Sequence, residues 1–307
     1  MTSVYAAAYA LALRAASEAA NGQNYPPGAL YVVATPIGNL ADITLRALHV
    51  LQIADSVACE DTRHSQTLLR AYGIDKSAAQ LLAVHQHNES EAAQAVIERL
   101  RLGQRVAYAS DAGTPAISDP GARLVAAVRQ ADLPVIPLPG ASSVTTALSI
   151  AGIAPEGAQE GSFVFIGFLP SKSSERATAV EALRLETRSA VLLEAPHRIE
   201  ALAAALATLG SRTVTVGREL TKQFEEIANV SAVGLPAWLA EDANRLRGEF
   251  VLVLHPCPDD ASGLPDDRVL KLLLAELPLK TAVKLSAEIT GQARNTLYEL
   301  ALSLKKD

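Results

Sequence analysis

Cysteine is almost missing: Cys59 and Cys257 are the two in 307 residues, far apart and in no CxxC pair. That excludes a disulfide framework, offers no zinc spacing and fits a reducing compartment, so a cytoplasmic location is expected. No uninterrupted apolar run of roughly eighteen residues occurs, so no membrane span is expected. The opening MTSVYAAAYALALRAASEAANGQNYPPG has no basic cluster ahead of its apolar part, which a secretory signal needs. Residues 1–28 read as an N-terminal extension, disordered or partly helical, with a helix ending near Asn21-Gly22, and carry no functional motif. Basic excess is lacking too. The formal net charge is −6, which argues against gripping nucleic acid by bulk attraction and leaves only a local basic cleft. No DNA partner is expected, and no repeat of solenoid length is visible.

Familiar loops are missing as well. There is no G-x-x-x-x-G-K-S/T phosphate loop and no strand followed by GxGxxG, which disfavours a triphosphate or a dinucleotide. Ser142-Ser143 follows Pro139-Gly140 without the strained GxSxG elbow of a hydrolase. His85 and His87 would share one face of a strand, but two histidines make half a metal site and no third ligand is identifiable. No metal is expected.

What is present is alternation. LYVVAT (30–35), SVACE (56–60), RVAYAS (105–110) and LPVIPLPG (133–140) read as short strands separated by helical patterns. One such pattern is Ala47, Val50, Leu51 and Ala54, with Asp42 as its cap. Another is Ala93, Val96, Ile97 and Leu100, preceded by an Asn88–Glu91 capping-box spacing. Alternating strand and helix imply parallel strands with crossover helices. In YASDAGTPAISDPG (108–121), Ser118 or Asp119 can cap the next helix while Pro120 sits in its first turn. The loop before it lies where open α/β sheets bind ligands.

FVFIGFLPSK (163–172), SAVLLEAPHR (189–198), RTVTVGREL (212–220) and GEFVLVLHP (248–256) give four more strands with less helix between them, hence a mixed sheet. From Pro265 the pattern is wholly helical, with stripes Leu270, Leu273, Leu274, Leu277 and Leu297, Leu300, Ala301, Leu304 broken by Gly291. The expected fold is α/β: an α/β domain at 29–145, a second at 146–257 and a helical tail at 265–307.

Polar residues gather at the strand exits. Glu60-Asp61 with Arg63 and His64 form the densest group, and Arg218, Glu219 and Lys222 form a second. Read together, TPIGNLADITLRAL (35–48), CEDTRHSQTLL (59–69), SDAGTPAISDPG (110–121), PLPGASS (137–143), GFLPSK (167–172), EAPHRI (194–199), GRELTK (217–222) and GEFVLVL (248–254) resemble one family, in order. It is the ribosomal RNA small-subunit methyltransferase I group of the tetrapyrrole-methylase-like, class III methyltransferases. The N-terminal extension alone departs from the pattern.

The resemblance implies S-adenosyl-L-methionine-dependent 2′-O-methylation of a cytidine in the decoding region of 16S ribosomal RNA. It also implies a homodimer with the cofactor in a cleft between two tetrapyrrole-methylase-like α/β domains. Carried onto this chain, the cofactor residues are Pro36, Ser110, Asp111, Ala112, Gly113, Thr114, Ser118, Ala141, Ser142, Phe168, Leu169, Glu194 and Ala195. Asp61 or Glu60 would accept the hydroxyl proton, while Arg63, His64, Lys172, Arg218 and Lys222 would face RNA phosphate. Methyl transfer from a sulfonium needs neither metal nor covalent intermediate, and positioning can supply most of the catalysis. The small net charge points to an assembled small subunit as substrate in place of bare RNA. The alternatives are a tetrapyrrole-type small-molecule methyltransferase and a non-catalytic cofactor-binding ribosome assembly factor. The acid–Arg–His exit weighs against the first.

Overall fold

A computed structural model describes residues 2–85, 88–153, 161–257 and 267–304. In the first half the four strands read from the sequence form, together with a fifth. β1 (Leu30–Val33), β2 (Ser56–Cys59), β3 (Leu81–Ala83), β4 (Val106–Ala109) and β5 (Val135–Leu138) make one sheet in the order β3-β2-β4-β1-β5, every pair parallel. Successive residues face opposite sides. Tyr31, Val57 and Ala107 enter a core under α2 (Leu45–Ile53) and α3 (Thr62–Ala71). Leu30, Ala58 and Tyr108 enter another under α4 (Glu89–Arg101) and α5 (Gly121–Gln130). Burial on both faces explains why these strands carry continuous apolar runs with no alternation.

The second sheet has the order β6-β7-β10-β8-β9, from β6 (Phe163–Phe168), β7 (Ser189–Glu194), β8 (Thr213–Arg218), β9 (Glu226–Ser231) and β10 (Phe250–Leu254). Only β6 and β7 run parallel, so the sheet is mixed. One face packs under α7 (Ser173–Ala182), α8 (Ile199–Leu206) and α9 (Leu235–Ala240). The other face meets α6 (Ser143–Ile150): Val144, Ala147 and Ala151 pack on Val191, Val251 and Val253, together with Ile37 from the β1 exit. This shared apolar layer sets the two sheets against each other.

Two local expectations are corrected. The cap of α2 is Thr44, whose Oγ1 accepts the Ala47 amide at 3.1 Å, while Asp42 closes a short 3-10 turn before it. Asn88 makes no capping bond, because its Oδ1 accepts the His85 amide at 2.8 Å and its Nδ2 donates to Ala83. The N-terminal extension carries a docked helix, α1 (Thr2–Ala20), which stops just before Asn21-Gly22, where a helix end was expected, with Ala16 and Ala20 buried and Tyr9 edge-on to Tyr72 at 4.8 Å. His87, half of the histidine pair, lies outside the described residues, and no group of three metal-ligating side chains occurs among those described.

The tail is three helices, Asp267–Glu276, Leu279–Thr290 and Arg294–Leu304, around their own core of Leu270, Val283, Leu297 and Ala301. Gly291 ends the second at φ 72°, a conformation that costs glycine nothing. No helix among the described residues is long and apolar enough to cross a membrane.

Candidate active site

The carboxyl ends of β1, β2, β4 and β5 open on one side of the first sheet, which brings TPIGN, EDTRH, SDAGTP and PGASS together. Thr35 and Gly113 exchange amide–carbonyl bonds of 3.0 and 3.1 Å across the β1 and β4 exits. Gly113 stands at φ 81°, and an added Cβ would come 3.2 Å from Ile37. Thr114 Oγ1 donates to the Ala141 carbonyl at 3.0 Å and ties in the β5 exit. Ser110 is buried, with its hydroxyl turned onto the carbonyls of Ala112 and Gly113.

The β2 and β4 exits hold each other reciprocally. The Asp111 amide donates to Glu60 Oε1, and the Asp61 amide donates to Asp111 Oδ1, both at 3.3 Å. Burial raises the Glu60 pKa, the Asp111 amide opposes that, and the charges of Asp111 and Asp119 add to the rise. Asp61 is the opposite case. Its carboxylate caps α3, accepting the Arg63 and His64 amides and the Arg63 guanidinium, which with those bonds pulls its pKa down to about 2. A carboxylate so engaged is a weak base, and Glu60, with its raised proton affinity, is the stronger base of the two.

Two hollows flank the SDAGTP loop. The first lies between the sheets and is small, about 80 Å³, lined by Ile37, Ala112 and Ser143 from one side and Leu220, Lys222, Glu249 and Val251 from the other. The Lys222 ammonium there donates to Glu219 at 2.8 Å and Glu249 at 3.0 Å, which outweighs burial and raises its pKa. Its stem lies over Gly38, where an added Cβ would come 2.4 Å from Lys222 Cγ. Glu219 and Thr221 flank it at φ 51° and 67°, left-handed conformations that concentrate at functional sites. The second hollow is open, about 560 Å³, and lined by Glu60, Glu89, Ser118, Asp119, Pro120, Ala122 and Arg123.

The remaining expected residues sort by burial. Pro36 is buried at the β1 exit, and Ser142 precedes α6 with no capping bond from its side chain. Ser118 lines the open hollow, away from the one between the sheets, and Asp119 alone holds the α5 start, accepting the Gly121 amide at 2.7 Å. From the second sheet, Phe168 is exposed, but the Leu169 side chain belongs to that sheet's own core. Glu194 is fully buried, with Oε1 on the Ala195 amide at 2.9 Å and on Arg198 at 3.0 Å. Arg198 also donates to Ser171 Oγ and to the Leu169 carbonyl, so one guanidinium clasps the β6 and β7 exits. The i,i+4 spacing of Glu194 and Arg198 in EAPHR was the available signal for that pair.

Among the basic residues, Arg63 and Lys172 are 90% and 79% exposed, beside Asp61 and Glu175 respectively, and His64 is exposed. Arg218 is corrected: it is buried and donates to the Arg247 and Phe224 carbonyls at 2.7 and 3.2 Å, bracing the loop after β8. Lys222 is neutralised by two carboxylates. Neither is free to meet a phosphate in this arrangement.

Two α/β layers with the β1, β4 and β8 exits lining the hollow between them have the architecture of a methylase of the tetrapyrrole type. The family model of Tetrapyrrole (Corrin/Porphyrin) Methylases matches residues 29–234, and that of the RsmI C-terminal HTH domain matches 260–305. Solved structures similar in fold include a cobalt precorrin-4 methyltransferase (TM-score 0.54, 20% identity, 76% of this chain and 98% of that one) and a diphthine synthase (0.56, 15%, 74% and 90%). Far more similar in sequence are the ribosomal RNA small subunit methyltransferase I of Escherichia coli O157:H7, 47% identical over 90% of this chain and 95% of that one, and that of Vibrio cholerae serotype O1, 45% over 92% and 98%. The chain belongs to the ribosomal RNA small subunit methyltransferase I family and is a methyltransferase.

Proposed function

We propose that this enzyme moves a methyl group from S-adenosyl-L-methionine to the 2′-hydroxyl of a cytidine in the decoding region of 16S ribosomal RNA. It works in the cytoplasm, as a homodimer, on the assembled or nearly assembled small subunit. The observation that carries this reading is the reciprocal hydrogen-bonded pair between Glu60-Asp61 and Asp111. It places an acid of raised proton affinity beside the loop that lines the cleft between the sheets.

That cleft suits the cofactor in chemistry. Gly113 keeps the β4-exit backbone free of a side chain where one would crowd Ile37, and Thr221 Oγ1 is buried without a hydrogen-bond partner at its edge. Two carboxylates against one ammonium leave it net acidic, complementary to a sulfonium. Asp111, Ala112, Gly113 and Thr114 with Ala141 and Ser142 would hold the cofactor from the first sheet, and Phe168 with the backbone of Leu169, Glu194 and Ala195 from the second. When bound, it supplies an electrophilic methyl group. The protein's part is to hold the acceptor oxygen in line and to receive or orient its proton at Glu60 Oε2, since a ribose hydroxyl is a poor nucleophile unaided. Arg63, His64 and Lys172, exposed at the rim, make the phosphate contacts.

The test is transfer of labelled methyl to small subunits from cells lacking the protein, with protein-free ribosomal RNA and Asp111→Ala enzyme alongside. Nuclease-resistant label at one cytidine ribose on subunits, lost in the variant, is the expected result. Cofactor binding without any incorporation refutes the ribosomal reading, and better methylation of bare RNA refutes the preference for assembled particles.

A further inference from the structure

The open hollow of about 560 Å³ lies within the roughly 300–1,000 Å³ of small-molecule sites, yet none of the family motifs accounts for its far wall. That wall is Glu89, at the start of α4, and Arg123, in the first turn of α5, joined to each other by an ion pair. Three carboxylates, Glu60, Glu89 and Asp119, face one guanidinium. The excess of negative charge repels phosphate, and equally a macrocycle decorated with carboxylates. It favours a neutral group rich in N–H and O–H donors.

The carboxylates differ in what they have left to give. Asp119 is saturated: Tyr108 Oη donates to it at 2.9 Å, the Ala116 amide at 2.7 Å and the Gly121 amide at 2.7 Å, so it is a rigid wall. Glu60 spends Oε1 on the Asp111 amide, and Glu89 spends Oε2 on Arg123. Among the described residues the second oxygen of each takes no hydrogen bond. The hollow therefore has two carboxylate oxygens that no described residue engages, one next to the methyl-transfer loop and one beside an arginine.

We propose that this hollow takes the acceptor cytidine, unstacked from the RNA, with its ribose at Glu60 and its base edge against Glu89 and Arg123; the assignment rests on the methyl-transfer reading above. Sequence-specific RNA recognition works on such splayed bases. Cytosine presents an amino donor followed by two acceptors, N3 and O2. A free carboxylate oxygen beside a guanidinium presents the complement, an acceptor followed by donors. Uracil reverses the first two groups, placing O4 against the carboxylate and N3–H against the guanidinium, so the pair selects between pyrimidines. Phosphates stay outside, at the exposed rim.

The experiment compares reconstituted small subunits bearing cytidine or uridine at the acceptor position. It uses wild-type enzyme, Glu89→Gln, and two plugs of the hollow at one exposed position, Ala122→Phe and Ala122→Trp. Cofactor affinity is measured by calorimetry throughout as a check on folding. Both plugs are expected to cut methylation by about tenfold or more with cofactor affinity unchanged. Glu89→Gln, whose amide can donate to O4, is expected to lower the preference for cytidine by about tenfold or more, the discrimination one base-edge contact supplies. Plugged enzymes that methylate at the wild-type rate overturn the pocket. Plugs that block while Glu89→Gln keeps full selectivity overturn the base assignment. Wild-type enzyme that leaves both kinds of subunit unmodified refutes the underlying reading itself, which the other two results do not.

Discussion

Replacing Glu60 by Gln separates catalysis from architecture. The amide oxygen can still accept the Asp111 N–H now bonded to Oε1 at 3.3 Å, so the junction of the β2 and β4 exits survives. What goes is the ability to take a proton. If Glu60 receives the ribose proton, kcat falls by about 10²–10⁴. If it only orients the hydroxyl, the loss is that of one hydrogen bond, about 1 kcal/mol or roughly fivefold. The assay is single-turnover methyl transfer to small subunits between pH 5 and 8. In the wild type the rate rises with pH as Glu60 ionises, with a midpoint above the ordinary value of 4.5 because burial raises its pKa. In Glu60→Gln that inflection is gone.

Stability should move the other way, and the sign follows from linkage. Because the folded pKa is raised, the folded state holds the proton more tightly than the unfolded chain. The stability this group contributes is present below its unfolded pKa and is lost as pH rises through the folded value. At neutral pH the ionised Glu60 is therefore a burden, and Glu60→Gln should melt no lower than the wild type and lose its share of the pH dependence. A variant that keeps its activity within twofold, with the acid limb of the profile intact, refutes the assignment. One that melts earlier refutes the electrostatics behind it.

Gly121→Ala should destabilise, because its Cβ would fall 2.1 Å from Tyr108 Cε1 and 2.7 Å from Asp119 Oδ1. Tyr108 is fully buried and cannot swing away, so overpacking costs about 1–3 kcal/mol, or about 2–4 °C of melting temperature per kcal/mol. An unchanged melting temperature counts against the tight Tyr108–Asp119 wall. Arg63→Ala and Arg218→Ala should behave oppositely although both looked like phosphate ligands. Exposed Arg63 should lower the salt dependence of subunit binding by about one unit of log slope, at unchanged stability. Buried Arg218 should lower the melting temperature and leave that slope alone, since its donors are spent on the Arg247 and Phe224 carbonyls. The reverse pattern would return Arg218 to the RNA face.

How far the sequence could be read depended on whether a feature is local. Parallel strands buried on both faces show as apolar runs, and SDAGTP and EDTRH stand out because turn and cap residues crowd where those runs stop. The strands without a signature were β3, three residues LLA, and β9, EIANVS, an edge strand with intermediate and exposed positions. Neither has the burial that writes a pattern into the chain. Side-chain roles were harder, because they are settled by partners far away in sequence. Arg63 and Arg218 sit in equally polar strand exits, yet one meets solvent and the other meets carbonyls 29 and 6 residues along the chain. Asp61 and Glu60 are adjacent, yet the first is claimed by a helix start and the second by an amide 51 residues on. Ser118 stands in the same motif as Gly113 but faces the other hollow, since Ala116, at φ 67°, turns the loop between them. One motif thus serves two sites: its first half shapes the cleft between the sheets, and its second half, pinned by Asp119, walls the hollow beside Glu60. On the reading proposed above, that division gives the methyl donor and the acceptor one short loop in common, with Glu60 at its root.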